Sequence, residues 1–454
     1  MPAGVPPVSF VARIRVRTMW ESLRATFWAV PSAMVAGAVA LSFGIIQLDE
    51  AASPDLLERL SWVYTGGPEG ARAVLSTIAA SMITVAGVTF SITIVALTLA
   101  SQQFGPRLLR NFLRDRGNQI VLGTFVSTFL YCLLVLRTVR GNDGAEFVPN
   151  LAVTFGVFLA LLSLGVLIYF IHHVSVSIQA SHIIANVSND LDEAIARMFP
   201  ERIGQGGTDA GAAPGPAPPF EDAWPVEAAA SGYVQAVDGA RIMQFAAGQD
   251  LVVRLAAQPG DFVREGAALM HVSGASRTPD GAGELRKAFS IGVDRTGTQD
   301  VTFFVEQLVE LAVRALSPGI NDPGTARLSI DRLEQALCQL AMRRMPAPYR
   351  FDDRGALRVL ARPVTFGAVA GLAFQEIGRY GCASVSVTCR LLDAARALAP
   401  CLRREEDRQV VERLVADTAA RARVAVTGDA DRDRIDACAG AAAAALAASS
   451  RQRL

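Results

Sequence analysis

Lysine is almost missing from this chain of 454 residues: among 43 basic residues Lys287 stands alone, and the rest are arginine. That scarcity all but removes lysine-based covalent catalysis and the Walker phosphate loop, both of which need a lysine amine. Histidine is nearly as rare, with only His172, His173, His182 and His271, and neither His-Glu-x-x-His nor a Cys/His cluster occurs. No metal site is expected. The six cysteines are scattered without a Cys-x-x-Cys pair and read as small, reduced hydrophobes, with Cys132 in an apolar run and Cys338, Cys382, Cys389, Cys401 and Cys438 beyond it. Gly-x-Ser-x-Gly and Gly-x-Gly-x-x-Gly strings are absent too. The residues thus offer no catalytic group and no cofactor cradle, and enzyme activity is not expected. With 43 acidic residues against 43 basic ones there is no basic field, so nucleic acid is not an expected partner.

Charge is also missing over long stretches. From Arg72 to Arg107 there are 34 residues without one charge, and Ala25 to Leu48, Gly117 to Leu136 and Phe147 to Asn189 are likewise uncharged. Each run supplies the roughly 20 apolar residues that cross a hydrocarbon layer of about 30 Å. Four membrane spans follow, and the lipid bilayer is the first partner. No Asp, Glu, Lys or Arg lies inside these runs, which disfavours ion-coupled transport. The segment before the first run carries Arg13, Arg15, Arg17 and Arg24, and the link after the second carries Arg107, Arg110, Arg114 and Arg116. The other two links hold fewer arginines and several acids, so the positive-inside rule puts both termini in the cytoplasm of a bacterial inner-membrane protein.

The expected organisation is an N-terminal cytosolic segment 1–24, a four-helix transmembrane domain 25–175, an amphipathic helical arm 176–200, and a Gly/Ala/Pro-rich linker 201–223. A small β domain 224–275 and a helical α+β domain 285–454 follow. In the β part, Gly232 to Val237, Asp250 to Leu255 and Ala268 to Val272 read as strands separated by turn residues. The string Gln258 to Gly266 resembles the strand pairs of biotinyl and lipoyl carrier domains, but no lysine stands where the prosthetic group attaches, so the likeness is one of fold only. Arg350 to Leu360 reads as a hairpin, and helical patterns cover 366–377, 384–398, 405–424 and 431–447. The fold class expected is an α-helical membrane protein with four transmembrane helices plus a cytosolic α+β region, made of a small β-barrel or sandwich unit and a helical bundle.

Two places stand out as candidate sites. In the second run, Thr77, Ser81, Thr84, Ser91, Thr98 and Gln102 recur at 3- and 4-residue steps and share one helical seam. Two readings stay open: close helix packing with hydroxyls bonded to their own backbone, or a hydrated pathway where several copies bring their seams to one axis. The same helix would end at Arg107, Arg110 and Arg114, either a plain cytoplasmic flank or a basic mouth. The second place is the corner Ser317, Pro318, Gly319, Asn321, Asp322 and Pro323, where Pro318 and Gly319 stop one helix and Asp322 with Pro323 starts the next. Structure or subunit contact is the expected role.

The strings Ala315 to Ala326, Gln299-Asp300, Gly87 to Ile92 and Ser101 to Arg107 resemble the bacterial membrane family DUF2254, over about Met19 to Pro400. The resemblance implies membrane topology and supplies no chemistry. From the residues, the reading is an oligomeric passive channel with a cytosolic regulatory region; the competing reading is a membrane-anchored scaffold or sensor whose cytosolic region binds a protein partner.

Overall fold

A computed structural model describes residues 28–51, 64–105, 115–141, 147–199, 220, 222–273 and 279–451. Packing divides the chain into a unit Thr18–His182 and a unit that begins at Ile183 and runs to the C-terminus.

The first unit holds four helices long and apolar enough to cross a membrane. They are α1 (Ala29–Ala51), α2 (Pro68–Phe104), α3 (Arg116–Leu136) and α4 (Asn150–Ser177). Pro68 occupies the first turn of α2, where its missing N–H costs nothing. The helix stops at Gly105, whose φ of 96° only glycine adopts readily and whose N–H still reaches Ser101 O. Its 37 residues make it about 55 Å long, well beyond the hydrocarbon thickness. Helix α3 is capped by Asp115, which accepts from Gly117 N at 2.8 Å. It is also the central element, packed against α1, α2 and α4, with the largest buried fraction of the four. Tyr131, Phe125, Leu75 and Phe170 are fully buried there.

The helices overrun the uncharged runs. Helix α1 continues through Asp49 and Glu50, and α2 begins before Glu69 and Arg72. Asp49 is buried because it has partners to meet: its carboxylate accepts from Leu151 N and Ala152 N, both at 2.9 Å, and so caps the start of α4. The helical pattern after α4 is interrupted at Ile178 and Gln179, and α5 (Ala180–Met198) follows. Val187, Leu191, Ala194 and Ile195 of α5 are buried, so its apolar face is packed.

The second unit mixes strands and helices. A five-stranded sheet has the order β1 (Trp224–Glu227), β5 (Ala268–Ser273), β3 (Val252–Leu255), β8 (Leu357–Leu360) and β7 (Tyr349–Phe351). A three-stranded sheet orders β4 (Phe262–Val263), β2 (Gly232–Val237) and β6 (Phe289–Gly292). Strands β3 and β8 run parallel, Val253 beside Val359, so the hairpin at 349–360 completes a sheet begun a hundred residues earlier. One core serves both sheets: Val226, Val253, Met270 and Val359 from the first, Val234, Val263 and Phe289 from the second. Ile242 and Ala246 of α6 (Gly239–Gly248) and Leu285 of α7 (Pro279–Arg286) close it. Asp238-Gly239, which reads as a turn, instead starts α6, because Asp238 accepts from Arg241 N and the apolar side chains follow at helical spacing. The remaining helices are α8 (Thr302–Ala315), α9 (Pro323–Met342), α10 (Phe366–Tyr380), α11 (Val385–Leu398), α12 (Glu405–Ala425) and α13 (Asp429–Arg451). Helix α5 is tied to this body through Gln335 Nε2 to Asp192 Oδ2 at 2.8 Å and through Arg197 to the carbonyls of Gly297 and Thr298.

Candidate functional site

Helix α2 has two unlike faces. Toward its neighbours it presents Ala71, Leu75, Ala79, Ala86, Ala96 and Ala100, with Thr89 and Thr93 among them, all buried. Small side chains there let the helix backbones approach closely. Thr77, Ser81, Thr84, Ser91, Thr98 and Gln102 lie away from that face and are exposed on the surface of the unit, in line with Val88 and Val95 and flanked by exposed Ile83, Phe90, Ile92, Ile94 and Leu99. The structure therefore gathers all six residues of the seam on one outward row. Four hydroxyls donate to backbone carbonyls one turn back: Thr77 to Ala73 at 2.7 Å, Thr84 to Ala80 at 2.9 Å, Ser91 to Gly87 at 2.9 Å and Thr98 to Ile94 at 2.9 Å. A hydroxyl has one donor and two acceptor positions, so a donor spent on the helix leaves oxygen lone pairs facing outward. Among the described residues the other three candidate spans show no such row; α4, for one, exposes Phe158, Leu161, Leu162, Leu164, Ile168 and Ile171.

Inside the unit the helices cross closely at two glycines. A Cβ on Gly123 would lie 2.5 Å from Met34 Sδ and 3.2 Å from Pro31 Cα, and one on Gly156 would lie 3.2 Å from Leu75 Cδ2. Polar groups in this interior are paired helix to helix, as in Thr128 Oγ1 with Ser163 Oγ at 3.2 Å and Tyr131 Oη donating to Ala152 O at 3.0 Å. Asn118 is an exception, 3% exposed with neither its amide nor its carbonyl oxygen bonded.

Acids close both ends of the bundle, and sequence reading passed over them. At one end Asp49 caps α4. At the other, Asp115 Oδ2 meets His173 Nε2 at 2.5 Å, and His173 stacks on Tyr169 with Nδ1 3.3 Å from its hydroxyl. Asp115 immediately before an apolar run is an N-cap signature and was available in the sequence; the long-range use of Asp49 had no local signal. Arg107, Arg110 and Arg114 lie outside the described residues.

The corner between α8 and α9 is built as its residue types dictate. Ser317 Oγ donates to Arg314 O at 2.7 Å, and Asp322 N donates to Ala315 O at 2.7 Å. Asn321 takes the left-handed conformation, φ 48°, which asparagine tolerates better than most residues. Asp322 accepts from Thr325 N at 3.1 Å and from Thr325 Oγ1 at 2.6 Å. These bonds, the side-chain one first, hold its carboxyl below the usual aspartate range. Pro318, Gly319 and Asn321 are exposed and Pro323 is half-buried, so the corner is a surface feature whose capping carboxylate is already engaged.

A recess of about 520 Å³ opens in the second unit, where the turn Gln258 to Asp261, the start of α8 and the start of α10 come together. Its charged wall is Arg295, whose Nε bonds Asp300 Oδ2 at 2.7 Å, Nη1 bonds Glu306 Oε2 at 2.5 Å and Nη2 bonds Thr302 Oγ1 at 2.7 Å. Burial alone would lower the guanidinium pKa, but Glu306 and Asp300 reverse that and hold it above its ordinary value. Gly260, φ 96°, passes directly beneath Asp300. The arrangement is a mutually satisfied charge cluster. Among the described residues no three His, Cys, Asp or Glu side chains gather as metal ligands would.

The family model described as "Predicted membrane protein (DUF2254)" matches residues 24–397. Among curated proteins the chain is similar to Uncharacterized protein MT1328 of Mycobacterium tuberculosis (strain CDC 1551 / Oshkosh), 35% identical over 392 residues, covering 85% of this chain and 74% of the relative. Uncharacterized protein Mb1321c of Mycobacterium bovis (strain ATCC BAA-935 / AF2122/97) is similar to the same extent, as is Uncharacterized protein Rv1290c of Mycobacterium tuberculosis (strain ATCC 25618 / H37Rv). No solved structure matches the chain.

Proposed function

The chain belongs to the DUF2254 family of predicted membrane proteins, and on that premise we propose that it is an oligomeric passive channel of the bacterial inner membrane. The pathway would run between copies and not through one chain. One observation carries this reading: the hydroxyl row of α2 faces away from its own bundle. A polar row about 30 Å long gains nothing from hydrocarbon, and apposed rows from several copies would share a seam of acceptor oxygens that water can hydrate. In this reading both termini lie in the cytoplasm with Arg107, Arg110 and Arg114 at the inner mouth. The unit from Ile183 onward is then a cytosolic regulatory body, its two sheets forming a small sandwich. No catalytic step is assigned to it.

Recording from purified protein in planar bilayers tests the proposal. Stepwise conductance, with particles symmetric about an axis normal to the detergent belt, is the expected result. Silence under voltage, tension and several ions, from protein shown to be inserted and monomeric, overturns it. A scaffold or sensor role is the second reading, favoured by the solvent-facing recess between sheet and helices in the larger unit. Protein that never conducts, yet whose full-length form retains a cytosolic partner through washing, would decide for the scaffold.

A further inference from the structure

From Ala437 to Ala448 helix α13 is mostly alanine, and its larger buried side chains are few. Ile435, Ala442 and Leu446 are fully buried, and Arg423 Nε on α12 bonds Asp436 Oδ1 at 2.5 Å. Arg432 Nε also donates to Val426 O at 2.9 Å, and a further contact is sulfur on sulfur: Cys438 Sγ lies 2.8 Å from Cys389 Sγ of α11. Cys389 Sγ is also 3.9 Å from Arg434 O, one turn earlier on α13, so it sits against the packed face of that helix. The two cysteines are 49 positions apart, which is why no short cysteine motif announces them. Cys389 is buried and Cys438 is half-buried.

We propose that Cys389 and Cys438 form a reversible thiol–disulfide site, closed by a peroxide, that staples α13 to α11. The more open Cys438 reacts first: its sulfur attacks one peroxide oxygen, the O–O bond breaks, and a sulfenic acid and one water result. The Cys389 sulfur then displaces the sulfenic hydroxyl, the S–S bond forms, and the Cys389 proton leaves with that hydroxyl as a second water. Two thiols are oxidised by two electrons and one hydrogen peroxide is reduced to two waters. A small-molecule dithiol reverses the bond by exchange and is itself oxidised to a disulfide. Burial, followed by the neighbouring Cys438, pushes the Cys389 thiol up to about 12. That keeps Cys389 protonated and inert to outside oxidants, which leaves the first reaction to Cys438. In a reducing cytosol the resting form is the dithiol, and the bond records a peroxide pulse.

The test treats the full-length protein in detergent with hydrogen peroxide, quenches it, alkylates it under denaturing conditions and maps the peptides by mass. The expected product is a linked peptide pair containing Cys389 and Cys438, lighter by two hydrogen atoms and lost on treatment with dithiothreitol. Digestion of α13 by a carboxypeptidase should slow severalfold in the same sample. Cys438→Ser should abolish the link, and Cys389 should then stay fully alkylatable. Complete alkylation of both cysteines in peroxide-treated wild-type protein overturns the proposal, as does advance of Cys438 to a sulfinic acid while Cys389 remains a free thiol. Both of these outcomes are read on the unmutated chain, so a misfolded variant cannot mask them.

Discussion

The Asp49 carboxylate accepts the backbone N–H of Ala152 at 2.9 Å, joining the end of the first candidate span to the start of the fourth. Its other oxygen takes the N–H of Leu151. A helix start carries donors without partners in its own helix, and here an acid from a different helix satisfies two of them. Asp49→Ala should therefore destabilise the four-helix unit by about 1–3 kcal/mol. Asp49→Asn, which keeps one good acceptor, should lose less. Thermal unfolding in detergent, followed by protease sensitivity of the link before α4, measures both; equal stability of Asp49→Ala and wild type would contradict the clamp.

The outward row on α2 makes a prediction that separates packing from permeation. Replacing Thr84, Ser91 and Thr98 together by Val, Ala and Val removes three outward oxygens and no contact inside the bundle. Stability should move by less than about 0.5 kcal/mol per site, while conductance falls severalfold. Ser91→Cys should in addition cross-link copies under mild oxidation, giving a dimer band that wild-type protein lacks. Unchanged conductance with no such band would leave the row without a role between copies.

Asp322 gives the second unit a pH signature. Its folded carboxyl titrates below its ordinary value because Thr325 bonds the charged form. The cap is therefore fully in place above the unfolded aspartate value of about 3.9, and its contribution disappears as pH falls through the lower folded value. Asp322→Ala should cost about 1 kcal/mol at neutral pH. The gap in melting temperature between variant and wild type should shrink as pH falls below about 3.9; a gap that stays constant through acid pH would mean that the charge of Asp322 does nothing.

Gly260 cannot be replaced cheaply. A Cβ there would lie 2.3 Å from Asp300 Oδ2, and the backbone φ of 96° is already one that side chains resist. Asp300 is pinned by Arg295 and Thr302 and has little room to yield. Gly260→Ala should lose about 2 kcal/mol or more, read as an earlier transition in denaturant. A wild-type midpoint for this variant would show that the turn relaxes freely.

Much of this architecture is written in uncharged length and helical period. Four runs without charge gave four helices, but the stop of α2 at Gly105 was missed: the uncharged run carried the helix on to Arg107, although a glycine is a break that needs no tertiary context. The hairpin at Tyr349 to Leu360 was legible because Asp352, Asp353 and Gly355 form its turn. Its destination was not, since nothing local tells β8 to lie parallel to β3. Helix α6 hid behind Asp238-Gly239, a pair that serves turns and helix starts alike. The seam on α2 could be read as a row, but which way it faced could not: the packing face is alanine, and hydropathy does not distinguish a small side chain pressed against a neighbour from one exposed to lipid. The Cys389 and Cys438 contact depends on how α11 meets α13 and leaves no trace in spacing.

The central position of α3 bears on how the protein is made. Helices α1 and α2 leave the ribosome first, yet each finds its principal neighbour in α3 and not in the other. Until α3 is synthesised, two long hydrophobic segments wait in the membrane without their mate, and the Asp49 carboxylate waits longer still, for α4. The first two helices therefore cannot complete their packing before the third is made, and a pause in synthesis just before Arg116 would lengthen the time for which both stand without it.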